Sequence, residues 1–138
     1  MAISNQEDAR GLLDTSVLIA IEKGRPLRTE AMPATTAISV VTKAELRVGI
    51  FAAKDIETRD RRLVTFELAN RIVSLPVDEA VSRAWAQMRA YVRAAGQKVG
   101  VNDMWIAATA AAHEIPLVTQ GGDFDALNGV AGLTVIPV

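Results

Sequence analysis

Short apolar runs alternate with stretches of helical period along this chain, and that alternation predicts its layout. Residues 10–14 carry Gly-Leu-Leu into a carboxylate and read as a buried strand. A short helix begins at Val17 and runs to Glu22; residues 24–33, punctuated by Gly24, Pro26 and Pro33, are loop. Residues 35–39 form a second short strand. Thr42-Lys-Ala-Glu45 has the form of a capping box, opening a helix that continues through Leu46, Val48, Gly49, Ile50 and Phe51. The charged stretch 54–62 leads into another helix, with Leu63, Phe66 and Leu68 on its apolar side. Residues 72–75 make a third strand, stopped by Pro76. Asp78 starts the clearest helix, where Val81, Trp85, Met88 and Val92 form one buried stripe and Gly96 is the stop. Asn102-Asp103 opens a helix over 104–113 that is apolar nearly all round and therefore deeply buried. A fourth strand at 117–119, the turn Gln120-Gly-Gly-Asp123 and a last strand at 133–136 complete the chain. Strands alternating with helices imply a mainly parallel sheet covered on both faces, a three-layer α/β/α sandwich.

Composition narrows this picture. The 138 residues suit one domain, 1–138, with residues 1–9 as a loose polar lead-in. Half the residues are hydrophobic and only 4% aromatic, so the core is aliphatic. No apolar run is long enough to span a membrane, and no basic-then-apolar leader opens the sequence. The absence of cysteine excludes disulfides and thiolate–metal sites, and fits a reducing cytoplasm. The net charge of −1 gives no bulk support for nucleic-acid binding. Locally, however, Arg83, Arg89, Arg93 and Lys98 follow one another with no acid between them.

The candidate chemistry lies in four acids. Asp14 ends the first strand, where open α/β sheets place their ligand crevices. Glu45 falls in the first turn of the helix after the second strand, Asp103 opens the buried helix, and Asp123 sits in a Gly-rich turn beyond the fourth strand. Each also has a structural role open to it: Asp14 as an N-cap, Glu45 in its capping box, Asp103 against a helix dipole, Asp123 in a turn. Together they crowd one end of the sheet. Two unit charges about 4 Å apart repel by roughly 4 kcal/mol at an effective dielectric of about 20. Several such pairs consume much of a domain's margin of about 5–15 kcal/mol. Either the acids take up protons or a divalent cation neutralises them, and an all-oxygen set suits magnesium or manganese. Thr15, Ser16 and Thr119 are candidates to orient the acids, with turn or cap roles as their alternative.

With those residues placed, the chain resembles the PIN-domain ribonucleases, specifically the VapC toxins of bacterial VapBC toxin–antitoxin pairs. The matching pieces are Leu13-Asp-Thr-Ser-Val-Leu-Ile19, the Thr-x-x-Glu-Leu within 39–46, Val101-Asn-Asp-Met-Trp-Ile-Ala-Ala108, and Leu117-Val-Thr-Gln-Gly-Gly-Asp-Phe124, in the family's order and spacing. The resemblance implies an acidic quartet at Asp14, Glu45, Asp103 and Asp123. Asp14 and Asp103 would be the principal metal ligands, with Glu45 and Asp123 completing the set directly or through water. Asp125 competes with Asp123 for the fourth place. The implied activity is Mg2+- or Mn2+-dependent endonucleolytic cleavage of RNA by metal-activated water. The implied partners are a cognate VapB-type antitoxin and a second copy of the chain. Arg83, Arg89 and Arg93 are candidates for RNA phosphate contacts, or else a solvated helix face. The sole histidine, His113, fits a helix C-terminus better than a general base, and Trp85 and Trp105 fit the core better than base stacking.

Two rival readings differ in kind. A non-catalytic PIN-like or receiver-like module would bind a partner and cleave nothing; the receiver version needs an acidic pair near the first acid, and Glu7-Asp8 comes too early. A phosphatase with an aspartate nucleophile would carry a second Asp where Ser16 stands. Both tolerate loss of Glu45, whereas a nuclease does not.

Overall fold

The computed structural model describes residues 10–138; the lead-in and the Glu7-Asp8 pair lie outside the described residues. Five strands, β1 (Arg10–Leu13), β2 (Thr35–Ser39), β3 (Val73–Leu75), β4 (Leu117–Thr119) and β5 (Val135–Pro137), form one sheet in the order β3-β2-β1-β4-β5. Every pairing is parallel, with Leu13 opposite both Ile38 and Val118. This is not the 2-1-3-4-5 order of receiver folds.

Side chains alternate across the sheet, so neighbouring residues of one strand feed two different cores. Leu12, Ala37 and Leu117 pack against α4 (Glu79–Ala94) and α5 (Val101–Ala112). Leu13, Ile38 and Val118 pack on the other face, against Val17 and Leu18 of α1 (Thr15–Glu22) and Ala69 of α3 (Ile56–Asn70). The α2 helix (Val40–Phe51) contributes to both, Val41 to the first and Leu46 to the second. Both strand faces are therefore dry, which is why the strands read as unbroken apolar runs. Gly11 belongs to this close packing: a Cβ there would come within 2.5 Å of the Pro33 ring.

Three expectations need correction. First, α2 starts at Val40 with Ser39 as its N-cap, accepting from Val41 N–H at 3.0 Å, so Thr42 and Glu45 do not form a capping box. Second, the charged stretch is itself helical. Asp55 caps α3 by accepting from Thr58 N–H at 2.8 Å, which holds the Asp55 carboxyl below its usual range. The same helix buries Thr65 and Ala69, while Leu63, Val64 and Leu68 are exposed, because Thr65 rather than a leucine faces α1. Third, the buried stripe of α4 is Val81, Ala84, Met88 and Val92; Trp85 is half-buried and stacks on Trp105 with centroids 4.8 Å apart. Both tryptophans are partly buried and pack against the core. Among the described residues no helix is long and apolar enough to cross a membrane.

Candidate active site

Strand order reverses direction between β1 and β4: β2 and β3 are added on one side of β1, β4 and β5 on the other. The carboxyl ends at such a switch point open into a crevice, because the flanking connections leave in opposite directions. Asp14 stands at this point, its backbone N–H donating to Val118 C=O at 2.9 Å.

Asp14 occupies the N-cap position of α1, but its side chain makes no capping bond. It is only 5% exposed. Ser16 Oγ donates to its Oδ2 at 2.6 Å and Thr119 Oγ1 donates to the same oxygen at 3.0 Å. Ser16 in turn accepts from Gln120 N–H at 3.1 Å, so a backbone amide polarises the hydroxyl that grips the acid. Among the described residues Oδ1 takes no hydrogen bond. A buried carboxylate held by one oxygen, with the other free, is oriented for a ligand rather than for a cap.

Glu45 repeats the arrangement. Thr15 Oγ1 donates to Glu45 Oε1 at 2.7 Å, leaving Oε2 without a partner among the described residues. The residues called Thr15, Ser16 and Thr119 from the sequence thus all bond the acids directly.

Asp103 lies in the first turn of α5, behind the N-cap Gly100. A helix N-terminus favours a charged carboxylate, yet the Asp103 carboxyl is pushed up to about 6. Burial is the largest cause, followed by the charges of Asp14, Glu45 and Asp123. The four acids, spread over the sequence from residue 14 to residue 123, therefore share one electrostatic environment. Asp125 is not among the charges that move Asp103, which favours Asp123 as the fourth member. Both line a cavity of about 370 Å³ with Asp103 and Lys98. Glu45 and Thr15 line a neighbouring cavity of about 400 Å³.

The donor set fits a hard divalent cation: carboxylate oxygens only, two of them pinned on one side and free on the other. As the side chains stand, no group of three acids or histidines among the described residues is drawn tightly enough to enclose an ion. A larger trough of about 620 Å³ between α1 and α3 contains Glu22, Glu57 and Asp60 but none of the quartet.

The sequence of residues 11–130 matches the PIN domain family. The chain is 46% identical over 130 residues to Ribonuclease VapC5 of Mycobacterium tuberculosis, covering 94% of this chain and 96% of that one. It belongs to the PIN-domain family of VapC ribonucleases. It is also 35% identical to the VapC ribonuclease Y4jK of Sinorhizobium fredii, over 91% of this chain and 94% of the relative. Its fold superposes on a chain of the Mycobacterium tuberculosis VapBC-5 toxin–antitoxin structure with a TM-score of 0.89, at 44% identity and covering 94% and 99% of the two chains.

Within this PIN domain the other sequence candidates fall further out. Arg83, Arg89 and Arg93 are exposed along α4 and line neither acid-bearing cavity. His113 is the exposed C-cap of α5, beside Arg10 and Thr35 at the opposite end of the sheet. Four residues near the acids escaped the sequence reading. Lys98 was seen only as part of a basic run. Glu22 lines the Glu45 cavity and accepts from Thr65 Oγ1 at 2.8 Å; its place seven residues after Thr15, on the same helix face, was the available signal. Arg62 reaches the same cavity and donates to Gly49 C=O. Gln120 Nε2 ties the crevice loop to Val138 C=O at 2.8 Å and Pro26 C=O at 3.2 Å, which no local pattern announces.

Proposed function

We propose that this chain is a toxin endoribonuclease that hydrolyses RNA phosphodiester bonds with Mg2+ or Mn2+ held by Asp14 and Asp103, with Glu45 and Asp123 completing the set directly or through water. The observation that carries this reading is the electrostatic coupling of Asp103 to Asp14, Glu45 and Asp123, contributed by β1, α2 and the loop after β4. A divalent cation would relieve this repulsion without requiring the acids to take up protons.

The bound cation supplies Lewis-acid polarisation of the phosphodiester and a water of lowered pKa. The chain's own residues provide the rest. Ser16 and Thr119 fix Asp14, and Thr15 fixes Glu45, so that the free oxygens hold their directions without reorganisation. Lys98, on the rim beside Asp103 and Asp123, supplies the positive charge that a phosphate chain requires near four acids. Arg89 and Arg93, exposed one turn apart on α4, are further candidates for phosphate contacts.

The VapBC-5 structure matched at 44% identity is a member of the VapBC family of toxin–antitoxin systems. On that basis we assign this chain a VapB-type antitoxin as partner; a homodimeric state and a cytoplasmic site of action are what the family resemblance implies. The test is cleavage of total RNA by purified protein with and without divalent metal. Cleavage should require Mg2+ or Mn2+ and vanish in Asp14→Asn, a loss of at least about a hundredfold given that a principal ligand is removed. Cleavage that persists in excess EDTA refutes the mechanism. Sequencing the cut ends then identifies the RNA.

A further inference from the structure

Glu22 ends α1, seven residues beyond Thr15 on the same helix face and about 10 Å from it along the axis. It stands apart from the four acids: Thr15 holds Glu45 at the start of the helix, and Glu22 is not among the charges that move Asp103. Its carboxylate is nevertheless fixed in place. Thr65, buried on α3, donates from Oγ1 to Glu22 Oε1 at 2.8 Å. Among the described residues Oε2 takes no hydrogen bond, and no lysine or arginine forms an ion pair with the carboxylate. Tying α1 to α3 does not require a charge, and a half-buried carboxylate without a cation loses hydration that a neutral side chain would not.

The cavity of about 400 Å³ that Glu22 shares with Glu45 and Thr15 has the size of a small-ligand pocket. Ile19, Leu46 and Ala52 give it an apolar wall, and Lys23 and Arg62 set two cations against the two carboxylates. Such a balance admits an anionic strand. The trough between α1 and α3 has no such balance, since Glu22, Glu57 and Asp60 outnumber Arg61 there. Single-stranded RNA is read on the Watson–Crick edges of its splayed bases. A carboxylate only accepts, its two oxygens match two donors side by side, and Oε1 keeps a second lone pair beside the Thr65 bond. Guanine offers that pair of donors, N1–H and the N2 amino group. Adenine and cytosine each set a ring-nitrogen acceptor beside their amino group, and uracil sets two carbonyls around its N3–H. We propose that Glu22, fixed by Thr65, selects guanine at one nucleotide beside the cleaved phosphate. The proposal rests on the reading of this chain as a metal-dependent ribonuclease with Glu45 in its cation set.

The experiment uses a synthetic copy of the RNA that cut-end sequencing identifies, with each base near the cut changed in turn. One position should require guanine, kcat/KM falling about 5- to 150-fold for other bases, the worth of a good bidentate contact. Inosine at that position, which lacks the N2 amino group, should cost the wild type about tenfold. Glu22→Gln keeps an acceptor for Thr65 but turns the other oxygen into a donor, so its discrimination between guanosine and inosine should vanish. Glu22→Ala should lose the preference for guanine altogether; Thr65 then has Arg61 C=O, 3.2 Å away, as acceptor. If one variant fails to fold, the other makes the comparison. Mn2+ affinity, measured by calorimetry without RNA, should match wild type in both. The absence of any position that requires guanine, or discrimination against inosine as strong in the variants as in wild type, overturns the assignment. Weakened Mn2+ affinity in Glu22→Gln puts Glu22 among the cation ligands and overturns it as well. RNA that wild type leaves uncut at every metal concentration, or cuts in excess EDTA, overturns the ribonuclease reading itself.

Discussion

Removing one charge from the crevice should stabilise the metal-free protein, and Asp103→Asn is the substitution that shows it. The Asp103 carboxyl is raised from 3.8 to about 6 by burial and by Asp14, Glu45 and Asp123. At roughly 1.4 kcal/mol per pH unit, that rise corresponds to at most about 3 kcal/mol. Asp103 is only half-buried, so solvent and salt screening reduce the figure to about 1 kcal/mol. The sign follows from proton binding. Between pH 3.8 and about 6 the folded protein holds a proton on Asp103 that the unfolded chain has lost. Stability therefore falls as pH rises through that window, and the full penalty is present above pH 6. In EDTA at pH 7.5 and low salt, Asp103→Asn should melt about 3 °C above wild type, the shift expected from about 1 kcal/mol in a domain of this size. The gap between the two proteins should close as the pH is lowered toward 4, since both are then uncharged at this position. Taking the difference between variant and wild type removes every other group that titrates in the same range. Millimolar Mg2+ should raise the wild-type melting temperature and leave the variant's nearly unmoved, because a ligand stabilises only the state that binds it. An Asp103→Asn protein that melts lower than wild type at pH 7.5, or a gap that stays constant with pH, refutes the electrostatic account of the crevice.

Three further outcomes test the crevice and its surroundings. Ser16→Ala removes the 2.6 Å donor to Asp14 Oδ2 and should weaken metal binding or cleavage about 10- to 100-fold; calorimetry with Mn2+ and a cleavage time course both read it. Lys98→Ala should raise the KM for RNA and lessen the salt dependence of binding by roughly one phosphate contact. Charge reversal at both Arg89 and Arg93 should weaken RNA binding with the melting temperature unchanged, and an unaltered salt dependence in fluorescence anisotropy would return these arginines to a solvated face.

Much of the architecture was legible because its causes are local. The apolar runs Gly-Leu-Leu and Leu-Val-Thr announce strands buried on both faces, and the order of strands and helices leaves few topologies open. The Val81 and Met88 spacing gave the α4 stripe, though Ala84 displaced Trp85 from it, since a small side chain lets α4 and α5 approach and leaves the larger ring at the rim. The helix starts were misread at α2 and α3 for a common reason. Ser39 outcompeted Thr42 as the cap of α2 and Asp55 caps α3 from within the charged stretch, and a capping bond depends on backbone geometry that residue type alone does not specify.

The sequence by itself marked the candidates for chemistry: four acids and three hydroxyls, placed at strand ends, helix starts and a turn, in an order that resembles the VapC family. What it left open was the choice between capping and catalysis at each of them, because a carboxylate at a helix start satisfies both patterns. Only the tertiary structure shows what each of them touches. It brings Thr119 to Asp14 across 105 residues and Thr15 to Glu45 across 30, and such contacts depend on the sheet order and on the reversal between β1 and β4. Hydrogen-bond direction and charge coupling act over a few ångströms of space, and separation along the chain does not encode them.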